Sequence, residues 1–124
     1  MGQMTILVVD DDPTNRLVLS KMLKYRGYAV SLAESGPQAI ECVTESTPSM
    51  VLMDINMPGM TGVEAAQKIA ELLGTGAPSI VAVTANNTSK QRAECEAAGF
   101  RGFVAKPVKM QTLLDTVEQG LRAG

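Results

Sequence analysis

The sequence predicts an α/β protein with a doubly wound parallel sheet of five strands and five helices. Three observations carry that expectation. Short apolar runs rich in β-branched residues recur five times, as suits strands buried on both faces. The stretches between them carry helix-start signals or apolar residues at helical spacing. Strand and helix alternate throughout with connections of a few residues, which implies right-handed crossovers that place helices on both faces of the sheet.

Taken in order, "TILVV" (5–9) is the first strand, and Asp12-Pro13 supplies an N-cap and a first-turn proline for the first helix, which Gly27 should end. "AVSLA" (29–33) is the second strand, and "SGPQ" (35–38) fits a capping box that opens the second helix. "MVLM" (50–53) is the third, followed by the turn residues Pro58, Gly59 and Gly62, by the capping box "TGVE" (61–64), and by a stop at Gly74. "SIVAV" (79–83) precedes the box "TSKQ" (88–91) and a stop at Gly99. "GFVA" (102–105) is the last strand, and Met110, Leu113, Leu114, Val117 and Leu121 form one face of the last helix. Residues 1–124 read as a single domain with its core in 5–121 and loose ends at Met1–Met4 and Ala123–Gly124.

Composition excludes several functions. Net charge is −2, and no basic run is longer than one residue, so neither nucleic acid nor an anionic membrane is an expected partner. The amino-terminal apolar run is too short for a signal h-region or a membrane span, and Ile6 stands where a myristoylation signal needs Ser or Thr. Cys42 and Cys95 lack a CxxC spacing and read as reduced thiols of a cytoplasmic protein. With no histidine in the chain, Ser-His or Cys-His catalysis and histidine metal ligation are excluded.

In an open parallel sheet, ligands bind beyond the carboxyl ends of the strands. There the chain places Asp10, Asp11 and Asp12 after strand one, Asp54 after strand three, Thr84 after strand four and Lys106 after strand five. Two carboxylates about 4 Å apart repel by roughly 1 kcal/mol in water and roughly 4 at an effective dielectric near 20. Crowding three demands a proton or a cation, because one lysine cannot balance them. Oxygen ligands alone select a hard ion: Mg²⁺ first, Mn²⁺ next, Ca²⁺ last. Thr84 and Lys106 suit phosphate oxygens. Asp54, left exposed at its strand tip by the turn beyond it, is the candidate nucleophile toward phosphorus. Asp12, followed by Pro13, is a helix cap rather than a ligand.

These residues resemble the receiver domain of two-component response regulators: Asp10-Asp11 after "ILVV", Asp54 within "LMDINMPGMTG", Thr84-Ala85 after "IVAV", and Lys106-Pro107 in "GFVAKP". The similarity runs in register from about Thr5 to Leu121. It implies a flavodoxin-like strand order 2-1-3-4-5 and a signalling domain, not a metabolic enzyme, that catalyses its own phosphotransfer and autodephosphorylation. It implies that Asp54 takes a phosphoryl group from a sensor histidine kinase or histidine phosphotransfer domain. By the same resemblance Asp11, Asp54 and the Asn56 backbone carbonyl hold Mg²⁺, with Asp10 acting through water. Thr84 and Lys106 would bind phosphoryl oxygens, Lys106-Pro107 would be a cis peptide, and signalling would use helix four, strand five and helix five. Thr84 and Phe103 would form the switch, and Phe103, lacking the more common tyrosine hydroxyl, would act by packing alone. Asn56 and Asn86 fall at the rim, solvated, where such positions tune attack by water. Thr61 replaces a frequent Asp and serves as an equivalent N-cap. The wording of the motifs resembles receivers carried on hybrid sensor kinases.

Three other functions fit parts of the sequence. "ILVVDDDPT" satisfies the opening motif of haloacid dehalogenase-like phosphohydrolases, with Asp10 as nucleophile, Asp12 as acid/base and Thr14 closing it, but Asp54 and "NMPGMTG" then have no role. A flavin carrier of this topology needs a neutral, hydroxyl-rich phosphate loop where this one is acidic. A binding module that no longer takes phosphate would not need Asp10, Asp11, Asp54, Thr84 and Lys106 together.

Overall fold

The computed structural model describes residues 4–123. Among them, strands β1 (Thr5–Val9), β2 (Ala29–Ala33), β3 (Met50–Asp54), β4 (Ser79–Thr84) and β5 (Gly102–Ala105) alternate with helices α1 (Pro13–Tyr25), α2 (Gly36–Glu45), α3 (Gly62–Leu73), α4 (Ser89–Ala97) and α5 (Met110–Ala123). The strands are all parallel in the order β2-β1-β3-β4-β5, the flavodoxin-like order that the resemblance implies. β3 and β4 each run one residue beyond their apolar stretch, so Asp54 and Thr84 are the last residues of their strands.

Alternation along each strand sorts the core into two layers. Ile6, Val8, Leu52, Val81, Val83 and Val104 pack with Leu19 and Leu23 of α1 and with Leu113, Leu114 and Val117 of α5. Leu7, Val9, Val51, Met53 and Ala82 face the other way, onto α2, α3 and α4. Burial on both faces holds for β1, β3 and β4, whereas β2 is an edge strand, with Ser31 and Leu32 exposed. Both cysteines are free thiols, and burial pushes both thiol pKa values up, away from thiolate reactivity.

The helix signals are realised unevenly. Asp12 caps α1 by accepting from the Thr14 backbone N–H at 2.8 Å. Thr61 and Glu64 make the full reciprocal box at α3. Ser35 and Thr88 each accept from the N3 backbone, but Gln38 turns to the Glu34 backbone N–H and Gln91 to the Asn86 amide, so neither box closes. Gly27 and Gly99 adopt positive φ and end α1 and α4 with the paired hydrogen bonds of a Schellman motif. Gly74 also has positive φ, yet at ψ −127° it is not left-handed helical; it opens a short 3-10 turn, Gly74–Gly76. Met4, read from the sequence as loose, accepts a hydrogen bond from the Ala29 N–H, and Ala123 is the last residue of α5. Met1–Gln3 and Gly124 lie outside the described residues.

The loop after β3 returns to the strand end it leaves. Gly62 donates its N–H to the Ile55 carbonyl at 2.9 Å, and a Cβ at Gly62 would sit 2.2 Å from the Asp54 carbonyl oxygen. Because both neighbours are backbone, Gly62→Ala is expected to cost about 2–3 kcal/mol of stability, as overpacking of a tight site does. Urea denaturation of the variant against Gly76→Ala, where a Cβ meets nothing within 4 Å, measures it.

Candidate functional site

The carboxyl ends of β1, β3, β4 and β5 converge on one cleft, at the point where strand order reverses around β1. Asp10 immediately follows β1, Asp54 and Thr84 end β3 and β4, and Lys106 follows β5. Carboxylate oxygens of Asp10, Asp11 and Asp54 lie within 4.8 Å of one another, with Asp10 and Asp54 buried and Asp11 exposed. Lys106 Nζ lies 3.0 Å from Asp10 Oδ2 and 3.6 Å from Asp54 Oδ1. One ammonium is therefore shared between two carboxylates. Three carboxylates this close, with two desolvated, are a donor set fit for a hard divalent cation. Lys106-Pro107 is the cis peptide bond that the resemblance implies.

Asp54 differs from the sequence expectation in one respect. It is 4% exposed, not presented at a strand tip, because the returning loop and Lys106 enclose it. Burial pushes its carboxyl up to about 6; Lys106 pulls it down, Asp10 raises it, an Asn56 backbone N–H bond lowers it and Asp11 raises it. Desolvation is the largest of these effects and sets the direction.

Thr84 is fully buried, and its Oγ1 accepts from Asn56 Nδ2 and from the Asn86 backbone N–H, each at 3.1 Å. Asn86 Nδ2 in turn donates to Oε1 of Gln91, at 3.2 Å. Both asparagines are exposed at the rim, as expected, and both are also tied to Thr84. Phe103 is half-buried on the face of β5 toward α4, with the Arg92 guanidinium 4.5 Å from its ring centroid. The structure also brings in Arg16, which pattern reading passed over, and Gln91, which it read only as part of a capping box. Arg16 donates to the Asp10 carbonyl at 2.7 Å, and Gln91 is a buried polar side chain. A lone arginine on the first turns of a helix after an acidic loop was the available signal for the former.

A doubly wound parallel sheet whose carboxyl edge gathers acidic groups around a shared lysine makes this an α/β protein with a cleft suited to a hard cation and phosphate oxygens. The chain belongs to the response regulator receiver domain family, which it matches over residues 6–118. It is 35% identical over 112 residues to protein PilH of Pseudomonas aeruginosa, covering 90% of this chain and 93% of PilH. It is 37% identical over 114 residues to the sensor histidine kinase RcsC of Salmonella typhimurium, of which it spans 12%. It is also 38% identical to a hybrid signal transduction histidine kinase of Dictyostelium discoideum, of which it spans 6%. A response regulator of Chloroflexus aurantiacus superposes with TM-score 0.92 at 28% identity, covering 98% of this chain and 99% of that one. Chemotaxis protein CheY4 of Vibrio cholerae gives 0.89 at 28% identity, covering 95% and 98%.

The chain is accordingly a receiver in two-component phosphorelay signalling, and a signalling domain by family. The phosphohydrolase alternative has no support: the family match is to receivers, and Asp12, its acid/base, is engaged as the cap of α1. Among the described residues no helix is long and apolar enough to cross a membrane.

The raised Asp54 carboxyl makes stability depend on pH. The unfolded chain loses this proton near pH 4 and the folded, metal-free chain keeps it to about 6, so stability falls as pH rises across that interval. Asp54→Asn removes the effect. In chelator, its gain over the parent in urea denaturation is expected to be small at pH 4 and to approach about 2–3 kcal/mol at pH 7.5. That figure follows from a roughly hundredfold change in proton affinity between the unfolded and folded chain, at about 1.4 kcal/mol for each tenfold.

Proposed function

We propose that Asp54 accepts a phosphoryl group from the phosphohistidine of a sensor histidine kinase or a histidine phosphotransfer domain, in the cytoplasm. A carboxylate oxygen of Asp54 forms the bond to phosphorus as the bond from phosphorus to the imidazole nitrogen breaks. The observation that carries this is the shared ammonium. Lys106 already bridges Asp10 and Asp54, so it stands where an incoming phosphoryl oxygen needs a counter-charge. Asp11, Asp54 and the Asn56 carbonyl would hold Mg²⁺, or Mn²⁺ in its place, with Asp10 acting through water, and the ion would supply charge neutralisation for the transferred group. Thr84 accepts two hydrogen bonds through Oγ1 and keeps its hydroxyl proton to donate to a phosphoryl oxygen.

Turning the Thr84 hydroxyl toward Asp54 breaks its bond to the Asn86 backbone and loosens the loop before α4. Phe103, which borders a groove of about 290 Å³ between α4 and β5, has room to follow it. With no phenol hydroxyl, the switch works by packing. Residues 1–124 act as a single receiver unit with its core in 5–121.

Exposure to a small phosphodonor such as acetyl phosphate with Mg²⁺ is expected to label the peptide carrying Asp54. Asp54→Asn or excess chelator abolishes the label, and a label on Asp10 overturns the proposal. Neither Asn56 nor Asn86 can take a proton, so autodephosphorylation proceeds without a strong general base. Asn86→Ala should leave its rate far from the roughly 100-fold drop that loss of a general base causes. Decay of labelled protein measures this.

A further inference from the structure

We infer that Arg16 is a positioning residue for the metal site: it holds the peptide plane between Asp10 and Asp11 and so aims the Asp11 carboxylate. This rests on the phosphoacceptor reading above.

Every polar atom of Asp10 is anchored. Its N–H donates to the Ala33 carbonyl at 3.1 Å, Oδ1 accepts from the Asp12 N–H at 2.9 Å, and Oδ2 accepts from Lys106 at 3.0 Å. Its carbonyl oxygen accepts from Arg16 Nη1 at 2.7 Å, a short, charge-assisted bond. A peptide unit is planar, so holding that oxygen fixes the plane through to the Asp11 Cα; with the Asp12 N–H held by Asp10 Oδ1, the units on both sides of Asp11 are held, and with them the direction in which its side chain leaves. Asp11 needs this help, because it is the exposed member of the carboxylate cluster while Asp10 and Asp54 are enclosed.

The acidic loop, not the helix, accounts for where Arg16 sits. It lies in the first turns of α1, where the positive end of the helix dipole disfavours a cation. Its side chain is nevertheless only 16% exposed. Glu34, at 3.8 Å and 69% exposed, is too solvated to account for that placement. The guanidinium faces the Asp10 carbonyl and orders the acidic loop before any cation arrives.

The test is calorimetric titration of unphosphorylated protein with Mg²⁺ at constant pH, for the parent, Arg16→Gln and Arg16→Lys, with thermal denaturation in chelator alongside. Arg16→Gln is expected to weaken Mg²⁺ binding by about tenfold or more, as loss of an outer partner of a metal ligand does, and Arg16→Lys to recover part of it. A fall in melting temperature with Mg²⁺ affinity unchanged within about twofold shows a merely structural arginine and overturns the inference, since outer partners act on affinity. If Arg16→Gln does not fold, Arg16→Lys carries the test by the same criterion, having lost the forked geometry. The two proposals fail separately: a parent that binds Mg²⁺ and is labelled on Asp54, with variants of equal affinity, sinks only the arginine's role. A parent that binds no Mg²⁺ sinks both.

Discussion

Like charges held together against their repulsion organise this end of the molecule. Parallel strands that stop at one edge bring Asp10, Asp11 and Asp54 within 4.8 Å, at a cost of several kcal/mol at an intermediate dielectric. What surrounds them offsets that cost without cancelling it. Lys106 is shared, the Asn56 backbone N–H supplies a further positive end, and burial still pushes the Asp54 carboxyl up to about 6. A cleft left short of positive charge favours a cation, and the three carboxylates are the donor set that could hold one.

The same edge explains how local chemistry reaches the surface. Thr84 ends β4 beside Asp54 and holds Asn56 from the β3 loop and Asn86 from the loop before α4. Asn86 passes the connection to Gln91, buried in the first turn of α4. On the proposed switch, a change at Thr84 would reach the start of α4 through these hydrogen bonds, a route that does not need the hydroxyl that Phe103 lacks. The lower parts of the strands, packed on both faces by aliphatic side chains, have no comparable polar linkage and serve as the fixed frame.

Much of this was legible beforehand because it depends on local pattern. Short continuous apolar runs set the strands, and Asp12-Pro13, Thr61 with Glu64, Gly27 and Gly99 set helix ends through contacts a few residues apart. The signals that misled were those open to competition. Gln38 and Gln91 had the right spacing to close capping boxes, yet each found another partner. Likewise β2 is as apolar as an interior strand but lies at the edge, since position in a sheet is not written in a strand's own composition.

Residue type and spacing were enough to set the alternation of strands and helices, the strand-end positions of Asp10, Asp54, Thr84 and Lys106, and the acidic character of the cleft. Those properties act over a few ångströms of chain. Only the assembled sheet makes Lys106 shared between Asp10 and Asp54, recesses Asp54 and raises its pKa, and brings Arg16 to the Asp10 carbonyl. Each of these depends on distances and solvent exclusion between separate segments of the chain, and those quantities exist only once the strand ends have been brought together.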